Sequence, residues 1–376
     1  MNNNLLATFG GVMSTIGYVL LAILILLVMI TVHEFGHYIA GKIFKFKINE
    51  FAIGFGPKIF SKTKKNGEKF SLRALPLGGF CAFHGEDEQE TDQDSFNSHA
   101  PWKRIIVLIS GALMNYLFAL ILIIITFSVY GDVALMTYNV EQPPSAIYTQ
   151  ENSFISRDII LKAQGKNVYL TTDLMKAVSG KKAGDSVSFT IYRDGKVQEI
   201  NVLLRADTNF NNVEQIDVLY NALGISYEMD AQTGQITKSG LYTTGVRYGF
   251  FQTIGRSVEY SVKIAGTIFT VLGQLITGSL GLSAMGGTVT TISVTATAIK
   301  VGGIRNLLNI ASFIGVNLAV FNLLPIPALD GSRVVFTLFE WIFKKPINRK
   351  AEGVIHTIGL ILLLIFAVVV DLQRCF

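Results

Sequence analysis

The chain has 376 residues, is 50% hydrophobic and only 16% charged, and its mean hydropathy is +0.44. That balance excludes an ordinary soluble globular protein and fits a multi-spanning membrane protein with some aqueous mass. The net charge of +5 comes without a basic stripe interleaved with aromatics, so nucleic acid is not an expected partner, and Cys81 and Cys375 form neither a disulfide framework nor a metal-ligand spacing.

The start, Met1-Asn2-Asn3-Asn4, lacks the positive segment of a signal peptide, and the apolar run behind it is too long for one. It reads as a retained anchor, with a first span from about Gly11 to Ala40. Near its end stands Thr31-Val32-His33-Glu34-Phe35-Gly36-His37. On a helix His33 and His37 share a face and can offer ring nitrogens to one Zn²⁺. Glu34 then projects beside the metal, where it can take a proton from a water held there. The plainer alternative is a pair of packed core histidines. The site's position at the end of an uncharged apolar run favours the metal, because ionisable groups at membrane depth are costly. Lys42, Lys45 and Lys47 follow, and the loop to Arg104 adds further lysines. This excess predicts the cytoplasmic side. At about 1.5 Å rise per residue, His37 and His33 lie roughly 7 and 13 Å above Lys42, inside the bilayer.

Phe51 to Phe80 reads as strand, turn, strand, with Asn66-Gly67 in the turn and Gly and Pro marking an edge or re-entrant element. The run Gly85 to Glu90 is expected to be a solvated loop. Trp102-Lys103-Arg104 forms an interfacial anchor for a second span, Ile105 to Tyr130, with Asn115 inside it. That Asn suits helix–helix contact and a place near the catalytic groups equally well. From Val133 to Leu204 the composition turns soluble. Strand character from Arg157 to Lys166, a short helix over Leu170 to Ser179 and an Asp194-Gly195 hairpin turn predict a small α+β domain. Asn209 to Thr237 reads as loop or further strand.

Gly245 to Ile276 has helical period but carries Arg247, Arg256, Glu259 and Lys263, which suits an amphipathic helix on the outer membrane surface. Gly278 to Lys300 has weak periodicity and stays unplaced. Leu307 to Leu324 is apolar with Asn317 and Asn322, and Pro325 and Pro327 must break the helix. A helix from Val334 to Phe343, a basic segment and a last span, Gly353 to Val370, complete the chain. His356 within that span is expected to be packed or interfacial.

Tetrahedral zinc with two histidines needs a third protein ligand and an open position. Asp330 is a carboxylate at membrane depth just past the helix-breaking prolines. Taken alone it serves equally well as a cap of the helix near Val334. Together with His33 and His37, the ligand reading wins.

His33-Glu34-Phe35-Gly36-His37, Gly54-Phe55-Gly56-Pro57, Pro76-Leu77-Gly78-Gly79 and Asn322-Leu323-Leu324-Pro325-Ile326-Pro327-Ala328-Leu329-Asp330-Gly331 resemble the site-2 protease family of intramembrane zinc proteases. The resemblance is closest to the bacterial regulator-of-sigma-E branch, which carries an extracytoplasmic PDZ domain. Two motifs depart from the family pattern, at Gly111-Ala112-Leu113-Met114-Asn115 and at Asp330-Gly331-Ser332, and neither loses a ligand. The resemblance implies substrates that are pre-trimmed single-span membrane proteins, such as anti-sigma factors or signal-peptide remnants. It gives Asn322 and Asn317 a part in holding substrate or oxyanion. The Phe51 to Phe80 hairpin, with Gly78 and Gly79, is expected to receive an extended substrate by strand addition, because backbone groups freed in a bilayer need immediate partners. The expectation is a multi-pass α-helical protein of the inner (plasma) membrane, with about four transmembrane helices and both termini outside. No small-molecule cofactor beyond Zn²⁺ is expected. Residues 1–132 form the N-terminal membrane half with its β-hairpin, 133–205 the PDZ-like domain, 206–303 an extracytoplasmic linker and amphipathic helix, and 304–376 the C-terminal membrane half. In the PDZ-like segment, Val140 to Ala146 has no Gly and two prolines, so a size sieve is favoured over capture of a free carboxylate. A catalytically silent scaffold is the rival reading. Intact His33, Glu34, His37 and Asp330 argue against it.

Overall fold

The computed structural model describes residues 2–86, 92–141, 145–210, 215–229, 236–281, 286–345 and 347–373. The first uncharged run forms one helix, α1 (Asn2–Ile43), which ends where Lys45 turns left-handed at φ 63°. Strands β1 (Ile48–Thr63) and β2 (Lys69–Phe83) follow, joined across a turn in which Lys64 N–H donates to Glu68 O at 2.8 Å. The expected strand-turn-strand is more folded than a hairpin. Phe51 pairs with Cys81 on one side and Phe70 on the other, while Lys62 pairs with Phe70. The two strands therefore bend into four segments, ordered 58–63, 69–72, 48–53 and 79–83. Gly54 makes the bend possible. It stands at φ 83°, and a Cβ there would lie 2.6 Å from Leu75 O.

Helix α2 (Pro101–Tyr130) begins with Pro at its first position, where no N–H is missed. Arg104 was expected at the interface but is buried, because it donates to Glu340 at 2.8 Å. The acidic loop also differs from expectation at Glu86, which pairs with Arg333; residues 87–91 of that run lie outside the described ones.

The soluble stretch builds β3 (Asp132–Thr137), β4 (Ile159–Ala163), β5 (Lys166–Asn167), α3 (Thr171–Val178), β6 (Ser186–Arg193) and β7 (Lys196–Leu203). Asp194 and Gly195, at φ 50° and 81°, close the β6–β7 hairpin as predicted. Where loop or strand was expected, Ile216–Leu223 forms helix α4, followed by β8 (Tyr227–Met229), β9 (Ile236–Ser239) and β10 (Leu241–Val246). The amphipathic pattern of α4 is what periodicity in so short a piece conceals: Leu219, Tyr220, Ala222 and Leu223 are all buried. The main sheet runs β10-β3-β4-β6-β7, so residues well past 205 complete this core.

Helix α5 (Phe250–Ile276) matches the expected amphipathic element. Helix α6 (Thr288–Asn322) starts earlier than the Leu307 expected and absorbs much of the unplaced segment, with a break just past that segment at Gly303 (φ 56°, ψ −141°). It stops at Asn322, before Pro325 and Pro327. Helices α7 (Asp330–Phe343) and α8 (Arg349–Gln373) end the fold.

Among the described residues, four helical stretches are long and apolar enough to cross a membrane: Ser14–Ile43, Pro101–Tyr130, Val289–Asn322 and Arg349–Leu372. Leu360, Ile361, Leu362 and Leu364 of α8 are exposed, as side chains facing lipid are. By its contacts the chain forms two units. One comprises Met1–Ile123, Ser261–Phe269 and Leu282–Phe376; the other, Ile124–Tyr260 and Thr270–Gly281, holds the β-domain. In the first, Ile25 and Met29 of α1 pack with Ile299, Ala311 and Ile314 of α6. A second cluster joins Ala40, Phe46, Ile48, Phe83, Phe96, Val107 and Leu108 around the base of the small sheet.

Candidate metal centre

The helical spacing of His33 and His37 puts their Nε2 atoms 3.1 Å apart. Asp330 Oδ2, from the first turn of α7, lies 3.0 Å from His33 Nε2 and 3.3 Å from His37 Nε2. Asp330 does not cap α7; Leu329 holds the cap position, and the carboxylate is free to turn toward the histidines. Among the described residues this is the one group of His, Cys, Asp and Glu side chains drawn together as a metal cage. The spacing fits zinc. Ligand atoms about 2.0–2.1 Å from a tetrahedral ion stand roughly 3.3–3.4 Å from one another. Two imidazole nitrogens and a carboxylate oxygen converging on one point are a donor set that Zn²⁺ accepts.

The supporting contacts agree with that donor set. His37 Nδ1 lies 2.8 Å from Val107 O on α2 and donates to it, which leaves Nε2 as the bare lone pair. The Asn322 side-chain amide lies 3.3 Å from His33 Nδ1. The amide's two ends are nearly isosteric, so its oxygen can accept an Nδ1–H and present His33 Nε2 in the same way. Asn317 is elsewhere: five residues earlier on α6, it sits about 140° around the helix from Asn322, and its Oδ1 is buried with no hydrogen-bond partner among the described residues.

Glu34 is half-buried and lies against the small sheet. A Cβ on Gly79 would be 3.4 Å from Glu34 Cγ and 3.8 Å from Ile30 Cγ2. Gly79 opens the 79–83 segment, which pairs with 48–53 on one side and has no strand on its other side among the described residues. Gly78 packs on the Phe55 ring. The small sheet thus presents an edge next to Glu34.

Sequence reasoning missed the backing of the site. A Cβ on Gly111 would overlap His37 Nε2, and one on Gly36 would overlap Ser110 O, so α1 and α2 meet backbone to backbone behind the two rings. In sequence Gly111 stands only as the first residue of the Gly111-Ala112-Leu113-Met114-Asn115 motif. A glycine at i, i+4 from Asn115 on a packed helix was the available signal.

Comparison with known proteins places these residues in a family. Residues 21–366 match the model of Peptidase family M50. A relative from Clostridium perfringens is 33% identical over 361 residues, covering 95% of this chain and 98% of its own. One from Fusobacterium nucleatum is 31% identical over 359 residues (94% and 97%), and one from Brucella suis 27% identical over 385 residues (97% of each). All three are named, provisionally, as zinc metalloproteases. Matched along nearly its full length, with a zinc-shaped cage behind its HExxH helix, the chain belongs to Peptidase family M50, the site-2 protease family, and is a membrane zinc metalloprotease.

Proposed function

We propose that this protein is an intramembrane endopeptidase that cuts transmembrane segments of single-span proteins already shortened by another protease, as in the regulator-of-sigma-E branch. The observation that carries the reading is the convergence of Asp330, in the first turn of α7, on His33 and His37 near the end of a helix apolar enough to cross a bilayer. Those three residues would hold the zinc, which when bound would supply Lewis-acid chemistry to a water and to the scissile carbonyl. Glu34, one residue from a ligand and not itself in the cage, accepts the water's proton and returns it to the departing amine. Asn322 orients His33, a role more direct than the substrate contact expected of it; Asn317 remains a candidate for substrate contact.

A transmembrane substrate arrives helical, with its carbonyls tied to its own amides. Unwinding it in lipid frees groups that need partners at once. The Gly79–Phe83 edge beside Glu34 supplies them by strand addition. The basic loops favour a site near the cytoplasmic face of the plasma membrane, with the β-domain outside. There the β-domain acts as a PDZ-like sieve against large outer domains. Residues 142–144 of the loop on which carboxylate capture would depend lie outside the described ones.

The test is Glu34→Gln. It retains one zinc per chain, and the membrane proteome of cells carrying it accumulates single-span fragments that the native chain removes. Cleavage close to native in Glu34→Gln discards the assignment.

A further inference from the structure

Asp330 follows a segment that is not helical and has little to hold it. Pro325 and Pro327 carry no N–H, and Ala328 stands at φ 82°, a left-handed conformation that costs a residue with a Cβ on the order of 1 kcal/mol. A ligand two residues past such a point is only as well placed as whatever fixes the turn. The turn's own bonds are few: Ile326 N–H donates to Leu324 O at 2.8 Å and Leu329 N–H to Ile326 O at 3.1 Å. The Ala328 N–H instead points at α8, where it donates to His356 Nδ1 at 3.0 Å.

His356 is not a stray polar group in that span. Glu352, His356 and Gly359 stand at i, i+4 and i+7, one face of α8. At Gly359 the helix touches the same turn, since a Cβ there would overlap Pro327 Cβ and lie 2.7 Å from Pro327 O. With Nδ1 accepting from Ala328, the ring proton sits on Nε2, which faces Glu352 Oε1 at 3.9 Å. Glu352 is itself held by Arg349 at 2.7 Å, and both line a polar cavity of about 250 Å³ with Arg104, Arg333, His356 and Thr357. The imidazole thus spans from an ionic cluster to the backbone of the Asp330 turn.

We infer that His356, seated on α8 beside Gly359, is a positioning residue for the third zinc ligand: its Nδ1 lone pair fixes the Ala328 turn and so the reach of Asp330 toward His33 and His37. Ala328 and Leu329, the two residues between Pro327 and the ligand, have few bonds of their own to do this. Losing the acceptor leaves a part-buried N–H without its partner and lets the turn relax, which moves a carboxylate whose tolerance on zinc is about 0.2 Å.

The inference rests on the three-ligand site, and the two fail separately. The full chain is purified in detergent, and its zinc content is measured first; a native chain without stoichiometric zinc refutes the site itself. Zinc release into excess 4-(2-pyridylazo)resorcinol is then timed for His356→Leu, which removes the acceptor, and for His356→Asn, whose Oδ1 stands where Nδ1 stood. Cobalt(II) spectra are recorded on the same proteins. Supporting coupling contacts of this kind are worth about 10–100-fold in metal affinity. His356→Leu should release zinc at least tenfold faster with altered visible bands, and His356→Asn should restore both. Native release and an unchanged spectrum in His356→Leu overturn the inference. So does an Asn variant that behaves like Leu, which would reduce His356 to bulk. If His356→Leu does not fold, Gly359→Ala decides: accelerated release supports the role of α8 as the seat of the turn, and native release overturns it.

Discussion

Gly111→Ala places one methyl group behind the metal cage. It would overlap His37 Nε2 and lie 2.7 Å from His37 Cε1 and 2.8 Å from His33 Cε1. Ordinary contact begins near 3.4 Å, so the His33 ring must retreat by about 0.6 Å and the His37 ring, whose Nε2 is nearest, by about 1 Å. Separating the helices offers little relief. Gly36 already brings α1 within 2.9 Å, measured from an added Cβ, of the Gly111 Cα. Ring shifts of that size exceed the ~0.2 Å tolerance of a zinc site. Zinc affinity should fall about 10–100-fold, with a loss of about 1–3 kcal/mol in stability from overpacking. The assay is zinc retained per chain across a series of chelator concentrations, with thermal unfolding run in parallel. Gly17→Ala, where an added Cβ meets nothing within 4 Å, is the control and should match the native chain. Native zinc retention in Gly111→Ala would show that the rings are not confined as described.

Gly79→Pro removes an N–H at the start of the strand edge beside Glu34 and should cut turnover at least tenfold while zinc content stays native; unchanged cleavage discards strand addition. Glu340 accepts from Arg104 at 2.8 Å and Arg349 at 2.5 Å with nearly all of its surface buried, so Glu340→Ala strands the buried Arg104 guanidinium, leaves Arg349 with Glu352 alone, and should cost about 3–5 kcal/mol in reversible detergent unfolding, a loss under 1 kcal/mol being the contrary result. Burial pushes the Glu68 carboxyl up, but hydrogen bonds from Lys42 and Lys64 outweigh it and hold its pKa near 2. A depressed carboxylate stabilises the fold above its unfolded pKa and loses that contribution as pH falls through the folded one. The stability gap between the native chain and Glu68→Gln, followed by thermal unfolding, should therefore be full above pH 4.5 and shrink toward pH 2; a pH-independent gap contradicts the assignment.

The two zinc motifs were legible because their chemistry is local. His33 and His37 need only a helix, and a helix is what an uncharged run of Leu, Ile and Val makes. Asp330 was legible through cost, since a carboxylate beside helix-breaking prolines in an apolar stretch demands a partner. The Asp194-Gly195 turn was legible because few residue pairs accept two positive φ angles. Only the tertiary structure decided which partners back these groups. Val107 O, Gly111 and Asn322 reach the histidines from 70 or more residues away, through contacts that leave no periodic trace. His356 reads in sequence as one polar residue in an apolar span, and its meaning comes from the backbone N–H it meets. The bent sheet, α4 and β10 were hidden for the same reason: a short segment's conformation is set by what it packs against, not by its own pattern.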